Sequence, residues 1–211
     1  MKTIIKLIKS YLLYLVTAFG ISLGIIANIG VSSYNSMNLA IANSAEIKVG
    51  TVTIFLNLTF LLLYMVLTRF TKWLKYLNQA LAVFMFGMVV NFFTYTVLGG
   101  ITDLTYFQRV LLISLGTIIG GSAVGGIIHY NVITFPLENL CLRLSDLSKF
   151  SFIRIRYAID IIAVTLSIIL TSINGLPLYV REGTIISMIL LAASINLSKD
   201  IFSKKILTKL T

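Results

Sequence analysis

The chain has 211 residues, of which 58% are hydrophobic and 11% are charged, and its mean hydropathy is +0.98. This composition offers too little polar surface for a soluble globule, so it predicts an integral membrane protein with one membrane domain, residues 1–211. The net charge of +10 comes from short basic runs between apolar stretches, which argues against nucleic-acid binding and for topology signals.

Six apolar stretches are long enough to cross about 30 Å of hydrocarbon as helices. We therefore predict an all-α fold with six transmembrane helices. They are expected near residues 10–31, 50–69, 77–99, 107–129, 153–173 and 183–203. Between the fourth and the fifth, apolar and charged residues alternate at helical spacing over residues 136–149, which predicts an amphipathic helix too short to span.

The basic residues indicate how these helices are oriented, because translocation of Lys and Arg is disfavoured. Every second connection is basic, which places both termini in the cytoplasm and predicts an even number of helices in the cell membrane (plasma or inner membrane). The basic clusters contain Lys2, Lys6, Lys9, Arg69, Lys72, Lys75, Arg143, Lys149, Arg154, Arg156, Lys199, Lys204, Lys205 and Lys209.

The two halves of the chain follow the same order of features. Residues 10–105 form the first predicted three-helix repeat and residues 106–205 the second, each opening with a Gly-rich stretch and a polar connector. Because each repeat holds an odd number of spans, the second is inverted in the membrane, as in many secondary transporters. The aligned positions are Asn28 with His129, Asn35 with Glu138, Asn57 with Asp160, and residues 78–91 with residues 183–196.

Several short motifs resemble those of the bacterial YczE/YitT-type multi-pass membrane proteins. The segment GISLGIIANIGVSSYNSM is similar to the opening signature of that family, a Gly-rich helix leading into a Gly-x-Ser-Pro-Trp-Asp turn. The Val-Gly-Thr at 49–51 and the Glu-Gly-Thr at 182–184 resemble its glycine-threonine motifs. The resemblance implies a fold and a location rather than a defined biochemical role. The chain departs from the signature at Ser33, Tyr34 and Asn35, which replace the proline, the tryptophan and the acidic residue.

Two groups of polar side chains are candidates for a binding site. The first is the uncharged run after the first stretch, which suits a neutral or zwitterionic solute but would also suit a solvated outer loop. The second surrounds Asp160, whose carboxylate is costly in hydrocarbon unless it pairs with Arg156, four residues earlier. This pair is either a substrate or proton site or a structural ion pair. The candidate residues are Asn28, Ser32, Tyr34, Asn35, His129, Glu138, Arg156 and Asp160.

These patterns favour a small-molecule permease of unknown substrate, which works by alternating access between the two repeats. The alternatives are a substrate-capture subunit of a larger energy-coupled transporter and a non-transporting membrane regulator or scaffold. Catalytic arrangements and metal-ligand spacings are absent from the sequence, and there is a single cysteine, so we expect neither an enzyme nor a metal or cofactor. The expected partners are the lipid bilayer, a small-molecule substrate, and a second copy of the chain or another membrane protein.

Overall fold

The computed structural model describes residues 2–207, and every regular element in this part of the chain is helical. The predicted all-α fold is therefore confirmed for these residues. Lys209 lies outside the described residues, as do the side chains of Lys2, Lys204 and Lys205. The helices are α1 (Lys2–Ala27), α2 (Ser33–Ser44), α3 (Val49–Leu67), α4 (Trp73–Asn91), which continues as a π-helical segment (Phe92–Val97), α5 (Tyr106–Tyr130), α6 (Pro136–Leu147), α7 (Phe152–Ile173) and α8 (Glu182–Leu207).

Within residues 2–207, five helices are long and apolar enough to cross a membrane, which supports a membrane protein. They are α1, α3, α4 with its π-helical segment, α5 and α8. The fifth predicted span, near residues 153–173, corresponds to α7, which is not among these five helices. The N-terminal half of α7 carries three charged residues, Arg154, Arg156 and Asp160, whereas its C-terminal half is mostly apolar.

Helix α1 ends where the backbone of Asn28 enters the left-handed region, with a φ of 50°. Asparagine tolerates this conformation better than most residues, and it stops the helix. The prediction that the first helix continues to residue 31 is wrong for this reason. Helix α5 ends in the same way at Asn131, where φ is 49°.

A short helix of 12 residues follows each of these breaks. The first, α2, is formed by the run of Ser, Asn and Tyr. The second, α6, begins with Pro136 at a position where a missing amide hydrogen costs nothing. Helix α6 confirms the predicted amphipathic helix, since Leu137, Leu140 and Cys141 are buried while Asp146 is exposed.

The described residues form two compact units, and each takes segments from both halves of the chain. Neither unit therefore coincides with one of the predicted repeats. The boundary within α4 falls between Met88 and Val89. The first unit comprises the residues up to Ser32, Val89–Ile133 and those from Arg181 onward, and the second unit comprises Ser33–Met88 and Thr134–Val180.

Glycines let the long helices of the first unit approach closely. A Cβ atom on Gly20 would lie 2.5 Å from the carbonyl oxygen of Gly116 and 2.7 Å from the amide nitrogen of Gly120, so α1 and α5 meet through their backbones. A Cβ atom on Gly125 would lie 2.6 Å from the carbonyl oxygen of Ile195 on α8. Helices in lipid associate through such small-residue contacts, because burial of apolar side chains from water no longer drives them together.

The connector between α1 and α2 is held by hydrogen bonds from the first unit. The amide nitrogen of Gly183 donates to the carbonyl of Ile29 at 2.8 Å, and the hydroxyl of Thr184 donates to the carbonyl of Val31 at 2.7 Å. Arg109 donates from Nη1 to the last carbonyl of α1 at 3.0 Å. Unpaired carbonyls are costly in apolar surroundings, so the start of α8 stabilises this connector.

In the second unit, α2 packs against α7 and α3 packs against α6. The hydroxyl of Ser167 on α7 donates to the carbonyl of Ser36 on α2 at 3.1 Å. The connector after α5 is held from α4, because the side-chain nitrogen Nε2 of Gln79 donates to the carbonyl of Thr134 at 2.7 Å. Helices α3, α4 and α6 share an apolar cluster of Leu61, Tyr64, Tyr76 and Leu140.

We expect Gly20→Ala to destabilise the protein and Gly24→Ala to be tolerated. Both substitutions gain the same helix propensity, but a Cβ on Gly24 would meet nothing nearer than Cγ1 of Ile113, at 4.0 Å. The difference in unfolding free energy should be about 1–3 kcal/mol, the usual cost of overpacking. Thermal unfolding of the purified variants in detergent measures this difference. Equal melting temperatures would contradict the close contact between α1 and α5.

Candidate functional site

Polar side chains from four helices of the second unit form what we call the polar cluster: Tyr34 (α2), Asn57 (α3), Glu138 (α6), and Arg156 and Asp160 (α7). Two direct contacts link its members, one between Asn57 and Tyr34 and one between Arg156 and Asp160. The charges of Glu138 and Arg156 also act on the phenol of Tyr34. The cluster therefore draws side chains from both halves of the chain.

The side of the cluster formed by α2 and α3 is uncharged. Nδ2 of Asn57 donates to the hydroxyl of Tyr34 at 3.1 Å and to the carbonyl of Thr53, one turn earlier, at 2.9 Å. Nδ2 of Asn38 donates to the hydroxyl of Thr53 at 3.0 Å, and both asparagines are buried. Hydrogen bonds of this kind join neighbouring helices without placing a charge in apolar surroundings.

The side formed by α7 carries an ion pair. Nη1 of Arg156 lies 2.8 Å from Oδ1 of Asp160, and the two side chains are 28% and 26% exposed. The predicted pairing of these residues, one turn apart on α7, is confirmed. Because both groups keep partial exposure, they avoid the full cost of placing charges in a dry interior.

Glu138 supplies the carboxyl group of α6. Its residue is partly exposed, but Oε2 is buried and has no hydrogen-bond partner among the described residues. Burial raises the pKa of this carboxyl group, the positive charge of Arg156 opposes the shift, and Asp160 adds to it. Glu138 is thus biased towards its protonated form, in which it can donate a hydrogen bond or release a proton.

Tyr34 is a neutral hydrogen-bonding group beside this carboxyl. Burial raises the pKa of its phenol, and the negative charge of Glu138 raises it further. The ring packs against Phe60, with 6.1 Å between the ring centroids. The hydroxyl oxygen accepts from Asn57, and a hydrogen bond with the side chain of Asn38 also acts on the phenol.

The structure brings four of the eight predicted site residues into the polar cluster, namely Tyr34, Glu138, Arg156 and Asp160. Asn35 belongs to the same unit and is half-buried on α2. The other three, Asn28, Ser32 and His129, belong to the first unit, where the ring of His129 stacks on Phe202 at 5.8 Å between centroids.

Asn57 belongs to the polar cluster but is not among the predicted site residues. Its uncharged side chain within an apolar helix is typical of a helix-packing residue, which explains the omission. The sequence does contain a signal for it, since the repeat alignment sets Asn57 against Asp160. The contact with Tyr34, 23 residues earlier, becomes visible only in the folded chain.

We expect Glu138→Gln to alter how stability depends on pH. A raised pKa means that the folded protein binds this proton more tightly than the unfolded chain does, so stability falls as pH rises above the ordinary carboxyl value of 4.5. The glutamine variant should therefore unfold at a higher temperature than the wild-type protein at pH 7, with the difference shrinking towards pH 4. Melting curves across this pH range test the effect. Glu46→Gln, at an exposed position, is the control, and identical behaviour of the two variants would contradict the raised pKa.

Comparison with protein families shows a match over most of the chain. Residues 4–200 match DUF6198, which is described as a family of unknown function. No curated protein and no solved structure matches the chain. The matched residues include all four helices of the polar cluster. The chain therefore belongs to DUF6198, a family of unknown function.

Proposed function

We propose that the protein is a small-molecule permease whose substrate or coupled proton binds at the polar cluster. The observation that carries this proposal is the unpartnered, buried Oε2 of Glu138, beside a phenol and an ion pair contributed by other helices. A buried polar atom without a partner is costly. A solute that hydrogen-bonds to this oxygen, or a proton that removes the charge, would reduce this cost, which is the behaviour expected of a binding site.

The proposal includes two inverted repeats, and the helix breaks support them. Asn28 and Asn131 both end a long helix in the left-handed conformation, and a helix of 12 residues begins five residues later in each half. With the breaks matched, Asn28 aligns with Asn131 rather than with His129, the partner predicted from the sequence. The pairing of Asn35 with Glu138 keeps its predicted place on these short helices.

The hydrogen bonds to the connectors support the same repeat. Thr184 donates to the carbonyl of Val31, and Gln79 donates to the carbonyl of Thr134. Each acceptor lies two residues before its short helix, and each donor lies near the start of the closing helix of the opposite half. The alignment of residues 78–91 with 183–196 sets Gln79 against Thr184, so equivalent residues perform equivalent contacts.

The polar cluster itself follows the repeat. Thr53 and Asn57 lie one turn apart on α3, as Arg156 and Asp160 do on α7, and the alignment sets the two pairs against each other. In addition, α2 packs on α7 as α6 packs on α3. Transporters with inverted repeats place their sites where the repeats meet, and this cluster draws on both.

We also propose that α7 spans the membrane. This brings the number of spans to six, and an even number places both termini in the cytoplasm. Its side chains Ile161, Ile162 and Ile173 are 66%, 57% and 76% exposed, which suits a helix surrounded by lipid. The likeness of the Glu-Gly-Thr at 182–184 to the YczE/YitT-type proteins supports a location in a bacterial cell membrane. In this chain the last two residues of that motif hold the connector after α1.

A ligand screen tests the permease directly. Any solute that binds only the folded protein raises its melting temperature, so a metabolite library is screened by thermal shift with the purified chain. We expect the screen to identify a binding solute. Its half-saturating concentration should rise about tenfold or more in Asp160→Asn, since hydrogen bonds to charged groups are strong. Asp103→Asn makes the same change at an exposed position before α5 and should bind normally. Unchanged binding and uptake in Asp160→Asn would remove the ion pair from the proposed site.

The same experiment separates the permease from its alternatives. Uptake of the identified solute into vesicles that contain only this protein supports the permease. Binding without uptake, together with copurification of an ATPase module, indicates a substrate-capture subunit. A silent screen combined with recovery of a stable protein partner indicates a membrane regulator or scaffold. Either of the last two results contradicts the permease.

Single cysteines test the six-span topology. Cys141 is a poor reporter because it is buried, and burial raises the pKa of its thiol to about 11. In a Cys141→Ala chain, Asp103→Cys and Lys149→Cys place thiols at exposed positions before α5 and after α6. An impermeant maleimide added to intact cells should label the first and should label the second only after lysis. Labelling of both from outside would contradict the topology.

A further inference from the structure

The second unit contains a cleft of about 330 Å³ that shares no lining residue with the polar cluster. It lies where α3 ends, α4 begins and α6 passes beside them. We call it the basic cleft, after its three cationic residues, Lys72, Lys75 and Arg143. Asp146 is the one carboxylate among its lining residues.

Two cations of the basic cleft, Lys75 and Arg143, contact neutral groups. Nζ of Lys75 lies 3.3 Å from Oδ1 of Asn139 and 5.7 Å from the centre of the Tyr64 ring. Nε of Arg143 donates to the carbonyl of Leu67 at 3.3 Å. Within the described part of the chain, none of the three cations forms an ion pair with Asp146 or with any other carboxylate. The cleft therefore holds an excess of positive charge.

Asn139 also lines the cleft, and it carries a hydrogen-bond donor that has no partner among the described residues. Only 5% of this residue is exposed, and its Oδ1 accepts from Lys75. Because an ammonium group cannot accept a hydrogen bond, this contact fixes which end of the amide faces the lysine. The other end, Nδ2, is buried and has no partner among residues 2–207. A buried donor without an acceptor is costly unless a ligand supplies one.

We propose that the basic cleft binds a phosphate group, supplied by the headgroup of an anionic phospholipid or by a soluble phosphate compound. Phosphate offers several acceptor oxygens and negative charge, which match two lysines and an arginine. The Trp73 side chain beside Lys72 is 65% exposed, and tryptophan is enriched at the level of lipid headgroups. Basic pockets between membrane helices on the cytoplasmic side are known to hold anionic headgroups.

The test compares two double variants of the full chain that remove the same charge. Lys72→Gln with Arg143→Gln changes the cleft, whereas Arg69→Gln with Lys149→Gln changes residues outside its lining. The probes are inorganic phosphate at constant ionic strength, and nanodiscs of phosphatidylglycerol or phosphatidylcholine. Thermal shift measures phosphate binding, and native mass spectrometry measures retained lipid. We expect the wild-type protein to bind a phosphate-bearing probe. The affinity for this probe should fall about tenfold or more in the cleft variant and stay unchanged in the control, because charge-assisted hydrogen bonds are strong.

The two probes identify the source of the phosphate group. Selective retention of phosphatidylglycerol without a response to inorganic phosphate identifies a lipid headgroup, and the reverse result identifies a soluble compound. Lys72→Gln alone is a second cleft variant that should fold normally, because the Lys72 side chain is exposed. Arg143, in contrast, also donates a hydrogen bond to the end of α3. Absence of binding by the wild-type protein, or equal loss in the two double variants, would overturn the proposal.

Discussion

The need to satisfy backbone carbonyls within an apolar layer governs this structure. Two long helices end at left-handed asparagines, and the connectors that follow would carry unpaired carbonyl groups if no other segment reached them. Gly183 and Thr184 serve the first connector, and Gln79 serves the second. Because the second connector leads directly into α6, the hydrogen bond from Gln79 helps to fix the start of the helix that carries Glu138.

Charge is distributed unequally between two helices of the polar cluster, α3 and α7. Helix α3 carries Thr53 and Asn57, whereas α7 carries an arginine and an aspartate at the matching spacing. A second ion pair would add a second desolvation cost, and its acid would repel the existing carboxylates. The neutral pair on α3 supplies hydrogen bonds to α2 without adding a charge.

The sequence predicts the features that depend on local pattern. Hydropathy and length predict the membrane helices, helical spacing predicts α6, and a four-residue spacing predicts the pairing of Arg156 with Asp160. Features that depend on distant partners are not predictable in this way. The end of α1 at Ala27 involves contacts from Arg109 and from the start of α8. The separation of the candidate residues into two units depends on packing between helices far apart in sequence, to which periodicity is blind.

The hydrogen bonds from the start of α8 to the first connector also bear on biosynthesis. Ile29 and Val31 enter the membrane early, but their partners lie in the last helix of the described chain, 153 residues beyond Val31 in the case of Thr184. Long separations of this kind slow folding, because the intervening chain must be ordered before the contact forms. Until α8 has been made, these two carbonyls lack the donors that serve them in the folded protein. The first connector can therefore reach its final structure only after that helix.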